Sequence, residues 1–120
     1  MTKFSNKNYD LEERTQRFGE DIIEFARNIP RNSVTIPLIS QLVRAGTSVG
    51  ANYTEANGAD SKKDFTHRIG ISKREARETK HWLRMTVMAE SSLKEKARKL
   101  WSEAEELNLI FSKIIRSCKK

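Results

Sequence analysis

Leu93, Ala97, Leu100, Ala104, Leu107, Phe111, Ile114 and Cys118 follow one another in unbroken steps of four and three. Such spacing keeps a small or apolar side chain on one face of an α-helix for about seven turns. The same period recurs in three upstream segments. One carries Leu11, Thr15, Phe18, Ile22, Phe25 and Ile29, the next Ile39, Leu42, Gly46, Val49, Tyr53 and Ala56, and the third Phe65, Ile69, Ser72, Ala76, Thr79, Leu83 and Thr86. No alternating strand pattern competes, and Asn57-Gly58 joins two helical patterns rather than two β-branched runs. The expectation is an all-α chain, one domain over residues 1–120, with helices at about 10–29, 36–57, 62–89 and 93–117. Short connections make consecutive helices antiparallel neighbours, so the architecture is an up-down-up-down four-helix bundle.

The ends of these segments carry stop and start signals. Asp10 with Glu13 reads as a capping box opening helix 1, Pro30 ends that helix, and Thr35 caps helix 2 with Pro37 in its first turn. Asn57-Gly58 stops helix 2, Ser61 with Asp64 opens helix 3, and Ser92 with Glu95 opens helix 4. Gly46 and Gly50 fall inside helix 2 beside Thr47, Ser48 and Ala51, although a helical glycine costs about 1 kcal/mol against alanine. Close approach of a second helix would offset that cost. Helix 3 supplies the large partners for it in Phe65, Ile69, Trp82 and Leu83.

Charge bears on partners. The chain has a net charge of +7 and a sequence pI of 9.8, which attracts nucleic acid, acidic proteins or anionic lipid alike. The distribution is uneven: residues 61 to 84 hold eight Lys or Arg against three acids, and residues 112 to 120 hold four basic residues and no acid. A single cysteine, Cys118, excludes an intrachain disulfide framework and favours a reducing, cytoplasmic setting. MTKFSNKNYD has no apolar export core, and no stretch of about 18 apolar residues offers a membrane span.

Tyr9-Asp10-Leu11, the run QLVRAGTSVGANYTEA over residues 41–56, Asp64-Phe65 and KREARETKHWL over 73–83 together resemble the 23S ribosomal RNA intervening-sequence proteins. The resemblance covers about residues 8 to 117; helix 4 matches in pattern only. It implies an up-down four-helix bundle assembled as a homopentamer, distantly similar to the accessory variability proteins of diversity-generating retroelements, which partner a reverse transcriptase and bind nucleic acid. The family name reflects the position of some of its genes within inserted ribosomal RNA segments, and it implies no established activity.

Three groups of residues stand out. Arg44, Ser48, Asn52 and Glu55 on helix 2 with Glu75 and Glu78 on helix 3 form a polar set, read as a network fixing helix register or a subunit contact, with a ligand site or a solvated surface as the other readings. If buried, loss of one partner would cost about 3–5 kcal/mol. Lys73, Arg77, Lys80 and Arg84 recur at helical spacing on one flank of helix 3, with Lys62, Lys63, His67 and Arg68 near its start. That stripe is either a solvated face or a phosphate-backbone contact. Ile71, Trp82, Met85 and Ala89 on helix 3, with Trp101, Ile110 and Ile115 on helix 4, exceed the one apolar stripe per helix that a monomer needs, which points to a homo-oligomer interface, the alternative being a broad stripe in a thick monomeric core.

Catalytic readings find little support. A di-iron bundle needs E-x-x-H on two helices, yet Glu78-x-x-His81 and the weaker Asp64-x-x-His67 both lie on helix 3, with the histidines about 21 Å apart at 1.5 Å per residue. Cys118 sits at a seam position, and GADSKK lacks the order of a phosphate loop. The sequence therefore points to a non-enzymatic, basic, oligomeric bundle without cofactor or metal, acting as an accessory factor on RNA, DNA or nucleoprotein. A protein-protein scaffold with no direct nucleic-acid binding is the alternative.

Overall fold

In the computed structural model, which describes residues 3–119 and the side chains of residues 11–119, the apolar periodicity resolves into four helices. They are α1 (Lys3–Arg27), α2 (Thr35–Asn57), α3 (Lys62–Ala89) and α4 (Lys94–Cys118), with one 3-10 turn at Ser91–Leu93. No strand occurs among the described residues. The helices lie side by side in a rod of 46 × 20 × 19 Å, each packed on the next in the chain, with a lighter contact between α1 and α4.

Three of the expected helix starts are corrected. α1 begins at Lys3, so Asp10 lies within the helix and not at its start. Nothing between Lys3 and Asp10 is Pro or Gly, and extending an established helix adds a hydrogen bond for each residue fixed. At α2 the cap belongs to Asn32: its Oδ1 accepts from the Val34 and Thr35 amides at 2.9 and 3.0 Å, while Thr35 Oγ1 accepts from the Asn32 amide at 3.0 Å. Thr35 thus fills the third position of a reciprocal box, donating also to the Pro30 carbonyl at 2.6 Å. At α4, Ser92 donates to the Glu90 carboxylate at 2.6 Å instead of capping, and the Ser91–Leu93 turn leads into the helix. Ser61 does cap α3, accepting from the Asp64 amide at 3.0 Å.

The seams form the core. Every seam position of α1 and α3 is buried; in α2 Ile39, and in α4 Leu100, Ile114 and Cys118, are partly buried against the same cluster. Four hydroxyls enter this core without an orphaned donor. Thr15, Thr79 and Thr86 donate to carbonyls of their own helices, and Ser72 donates across the α2–α3 contact to the Val49 carbonyl at 3.0 Å. A buried hydroxyl with a partner avoids the desolvation cost that an unpaired one would carry.

The glycines of α2 face a different helix from the one expected. A Cβ on Gly46 would stand 2.7 Å from Ile22 Cγ2, and one on Gly50 would stand 3.1 Å from the Thr15 carbonyl oxygen, both on α1. Gly19 of α1 approaches in return, its Cβ position 3.5 Å from Thr47 Cα. Close backbone packing therefore joins α1 to α2. Phe65, Ile69 and Leu83 of α3 are buried in the common core, while Trp82 is only half-buried.

Candidate nucleic-acid interface

The buried seam of α3 fixes the direction of its charges. At about 100° per residue, Lys73, Arg77, Lys80 and Arg84 share the flank that turns toward α4, and Lys62 falls on the same flank. Two contacts anchor that register: Asn108 Nδ2 donates to the Lys73 carbonyl at 3.2 Å, and the Lys80 ammonium pairs with the Glu105 carboxylate. Arg68 stands on the opposite flank, toward α2, and Lys63 is exposed at the start of the helix. The structure therefore divides the expected cationic set.

Lys80 is also withdrawn from the set of available cations. It is paired with Glu105 and lies 4.7 Å from the centroid of the Trp101 ring. Lys62, Lys63, Arg68, Lys73, Arg77 and Arg84 take part in no ion pair among the described residues, since the pairs of α3 use Glu75, Glu78 and Lys80. Arg77 and Arg84 are exposed, and Lys73 is half-buried. At the far end of the same flank, a shallow concavity of about 560 Å³ is lined by Lys62, Lys63, Thr66, His67 and Cys118, which sets the start of α3 beside the end of α4.

The polar set resolves into three residues. Arg44 reaches across from α2 to Glu75 at 3.2 Å and to the Glu78 carboxylate, with Gln41 Oε1 accepting from its Nε at 3.2 Å. Trp82 Nε1 donates to Glu78 at 3.4 Å. Ser48 and Asn52 instead donate to carbonyls of their own helix, at 2.6 and 2.9 Å, and Glu55 is exposed. The Arg44 side chain is 45% exposed. Solvent screens such a pair, so its worth lies with surface ion pairs and not in the range of about 3–5 kcal/mol expected for a buried one.

The family profile of the 23S rRNA-intervening sequence protein matches residues 7–113. The chain belongs to the 23S rRNA-intervening sequence protein family. A crystal structure of a protein with unknown function from the S23 ribosomal protein family, from Bacteroides thetaiotaomicron, is similar at 28% identity, with a TM-score of 0.79 over 87% of this chain and 96% of that one. No functionally curated protein matches.

For this member of the 23S rRNA-intervening sequence protein family, the apolar surplus does not form one patch. Trp82, Ile110 and Ile115 pack against the chain's own core, and Ile71 and Met85 are partly buried. Among the described residues the exposed large apolar side chains are Ile23, Val34, Ile36, Met88, Leu109 and Trp101, of which only Trp101 belongs to the expected set. α3 and α4 each touch two neighbouring helices, and part of their broad stripes is covered within the chain. Sequence reading also missed the clamp between α1 and α4, where Arg14 binds Glu103 at 2.6 and 2.8 Å and Glu106 at 2.8 Å. These hydrogen bonds, Glu103 first and then Glu106, raise the Arg14 pKa above its ordinary value. Nothing in local spacing signals a pair 89 residues apart.

Among the described residues no cluster of His, Cys, Asp and Glu is arranged to hold a metal, and no helix is long and apolar enough to cross a membrane. His81 packs edge-on to Trp82 with ring centroids 4.7 Å apart.

Proposed function

We propose that this chain is a non-enzymatic, cytoplasmic accessory protein that binds nucleic acid or nucleoprotein through phosphate contacts along the α3–α4 flank. The observation that carries the reading is a row of cations on one helix flank, Lys73, Arg77 and Arg84, held in register by the buried seam and not neutralised by neighbouring carboxylates among the described residues. Charges placed this way contact a backbone without reading bases, so binding has little sequence preference and weakens steeply with salt.

The bundle is antiparallel and up-down-up-down in this reading. Contacts of Ile22 with Gly46 and of Thr15 with Gly50 run in reverse order along α1 and α2, which supports it. We also propose a homo-oligomer, with a pentamer as the state the family resemblance favours. Leu109, 58% exposed, and Ile23, 42% exposed, are apolar side chains that self-association would cover. Assembly would repeat the basic flank around the particle and multiply its field.

Purification tests the reading. Protein from a low-salt lysate should carry excess absorbance at 260 nm that a high-salt wash removes. If instead one protein partner stays bound through that wash and no nucleic acid is recovered, the scaffold alternative replaces it.

A further inference from the structure

We propose that the α3–α4 groove takes a single strand of nucleic acid and that Trp101 is the platform on which a base stacks; this rests on the nucleic-acid reading above and names its substrate class. Trp101 is the one aromatic residue among the described large apolar side chains that are exposed, with 41% of its surface open. It stands on the flank of α4 that turns toward the basic flank of α3. The ring is held from one side by the Lys80 ammonium, 4.7 Å from its centroid, and Lys80 is in turn held by Glu105.

This arrangement has the parts of a stacking site. A flat π surface is fixed in orientation by a cation, and exposed Arg84 lies one turn beyond Lys80 along α3. Exposed Arg98 lies one turn before Trp101 along α4, in a loose surface pair with Glu95 at 3.6 Å. Glu105 is the only acid on the facing flanks among the described residues, and it is paired with Lys80. Cations beside an exposed ring match a chain that alternates phosphates with flat bases. A duplex keeps its base faces stacked inside, so it can use the arginines but not the ring. The arrangement therefore favours a single strand over a duplex of the same sequence.

The test is fluorescence anisotropy with a labelled RNA of about twelve nucleotides, a length within the site sizes of single-strand binders, measured alone and annealed to its complement. Trp101→Leu should weaken binding of the single strand about tenfold, leave duplex binding within about twofold, and keep the melting temperature of the parent protein. Trp101→Phe should retain most of the affinity. Arg77→Ala with Arg84→Ala should weaken both forms. If Trp101→Leu binds the single strand as the parent does while the arginine variant is impaired, the stacking platform is overturned and the phosphate reading stands. If the parent binds neither form, both are overturned.

Discussion

Gly46→Ala tests the close α1–α2 contact against the usual preference for alanine in helices. In an open helix the substitution stabilises by about 1 kcal/mol. At Gly46 the added Cβ would lie 2.7 and 2.8 Å from Ile22 Cγ2 and Cγ1 and 3.0 Å from its Cβ. Ile22 is fully buried and β-branched, so it has no free rotamer into which to withdraw. Overpacking of this kind costs about 1–3 kcal/mol, which leaves a net loss of up to about 2 kcal/mol once the helical gain of about 1 is subtracted.

Two controls isolate the cause. Gly70 of α3 has nothing within 4 Å of its Cβ position, so Gly70→Ala should stabilise by about 1 kcal/mol. Ile22→Ala alone should cost about 2–5 kcal/mol, but adding Gly46→Ala in that background should recover stability, because the clashing carbons are gone. The coupling between the two sites is then about 1–3 kcal/mol. Urea unfolding at one fixed protein concentration reads all four variants. A Gly46→Ala protein stabilised as much as Gly70→Ala would refute the contact.

Other expectations follow from the polar contacts. Arg14→Ala should cost about 1–2 kcal/mol, because it removes a two-pronged clamp at the lighter α1–α4 contact, while Arg44→Ala should cost about 1 kcal/mol or less; urea midpoints compare them, and an Arg44 loss above that of Arg14 would contradict the exposures. Burial first, opposed by a hydrogen bond with Asn57 and reinforced by Glu12, pushes the Tyr53 phenol up to about 12. The unfolded chain ionises near 10 and the folded one near 12, so this group's contribution is complete below pH 10 and is lost as pH rises to 12. Tyr53→Phe should therefore flatten the alkaline decline seen in urea midpoints, and an unchanged slope would refute that assignment. Sedimentation equilibrium at micromolar concentration should report a homo-oligomer, and a monomer would remove the self-association proposal.

How far the sequence is legible depends on the range of the interaction. The seams are local patterns, and Ile22, Tyr53, Leu83 and Phe111 all reached the core predicted by steps of three and four. The Ser61 cap was equally legible, since donor and acceptor lie three residues apart. Asn32 was missed because its box precedes the proline-containing turn of α2 and Thr35 offered a competing cap. The partner of the glycines could not be read, because small residues show that something approaches but not which helix. Register between α3 and α4 has no local signature either, so the capture of Lys80 by Glu105 and its place over the Trp101 ring emerge only once the helices are packed. Within the polar set, spacing put Glu75 one turn from Glu78 on α3, and Arg44 of α2 reaches both in the structure. Spacing could not show that Ser48 and Asn52 would prefer carbonyls one turn back in their own helix, a choice open to such side chains in any helix.

The central claim is that the cations of α3 bind phosphates, and the salt dependence of RNA affinity tests it most directly. Between 50 and 200 mM salt, the logarithm of the association constant should fall linearly with the logarithm of salt concentration, and Arg77→Ala and Arg84→Ala should each reduce the slope by about 1. An affinity insensitive to salt, or a slope unchanged by removing both arginines, would contradict it.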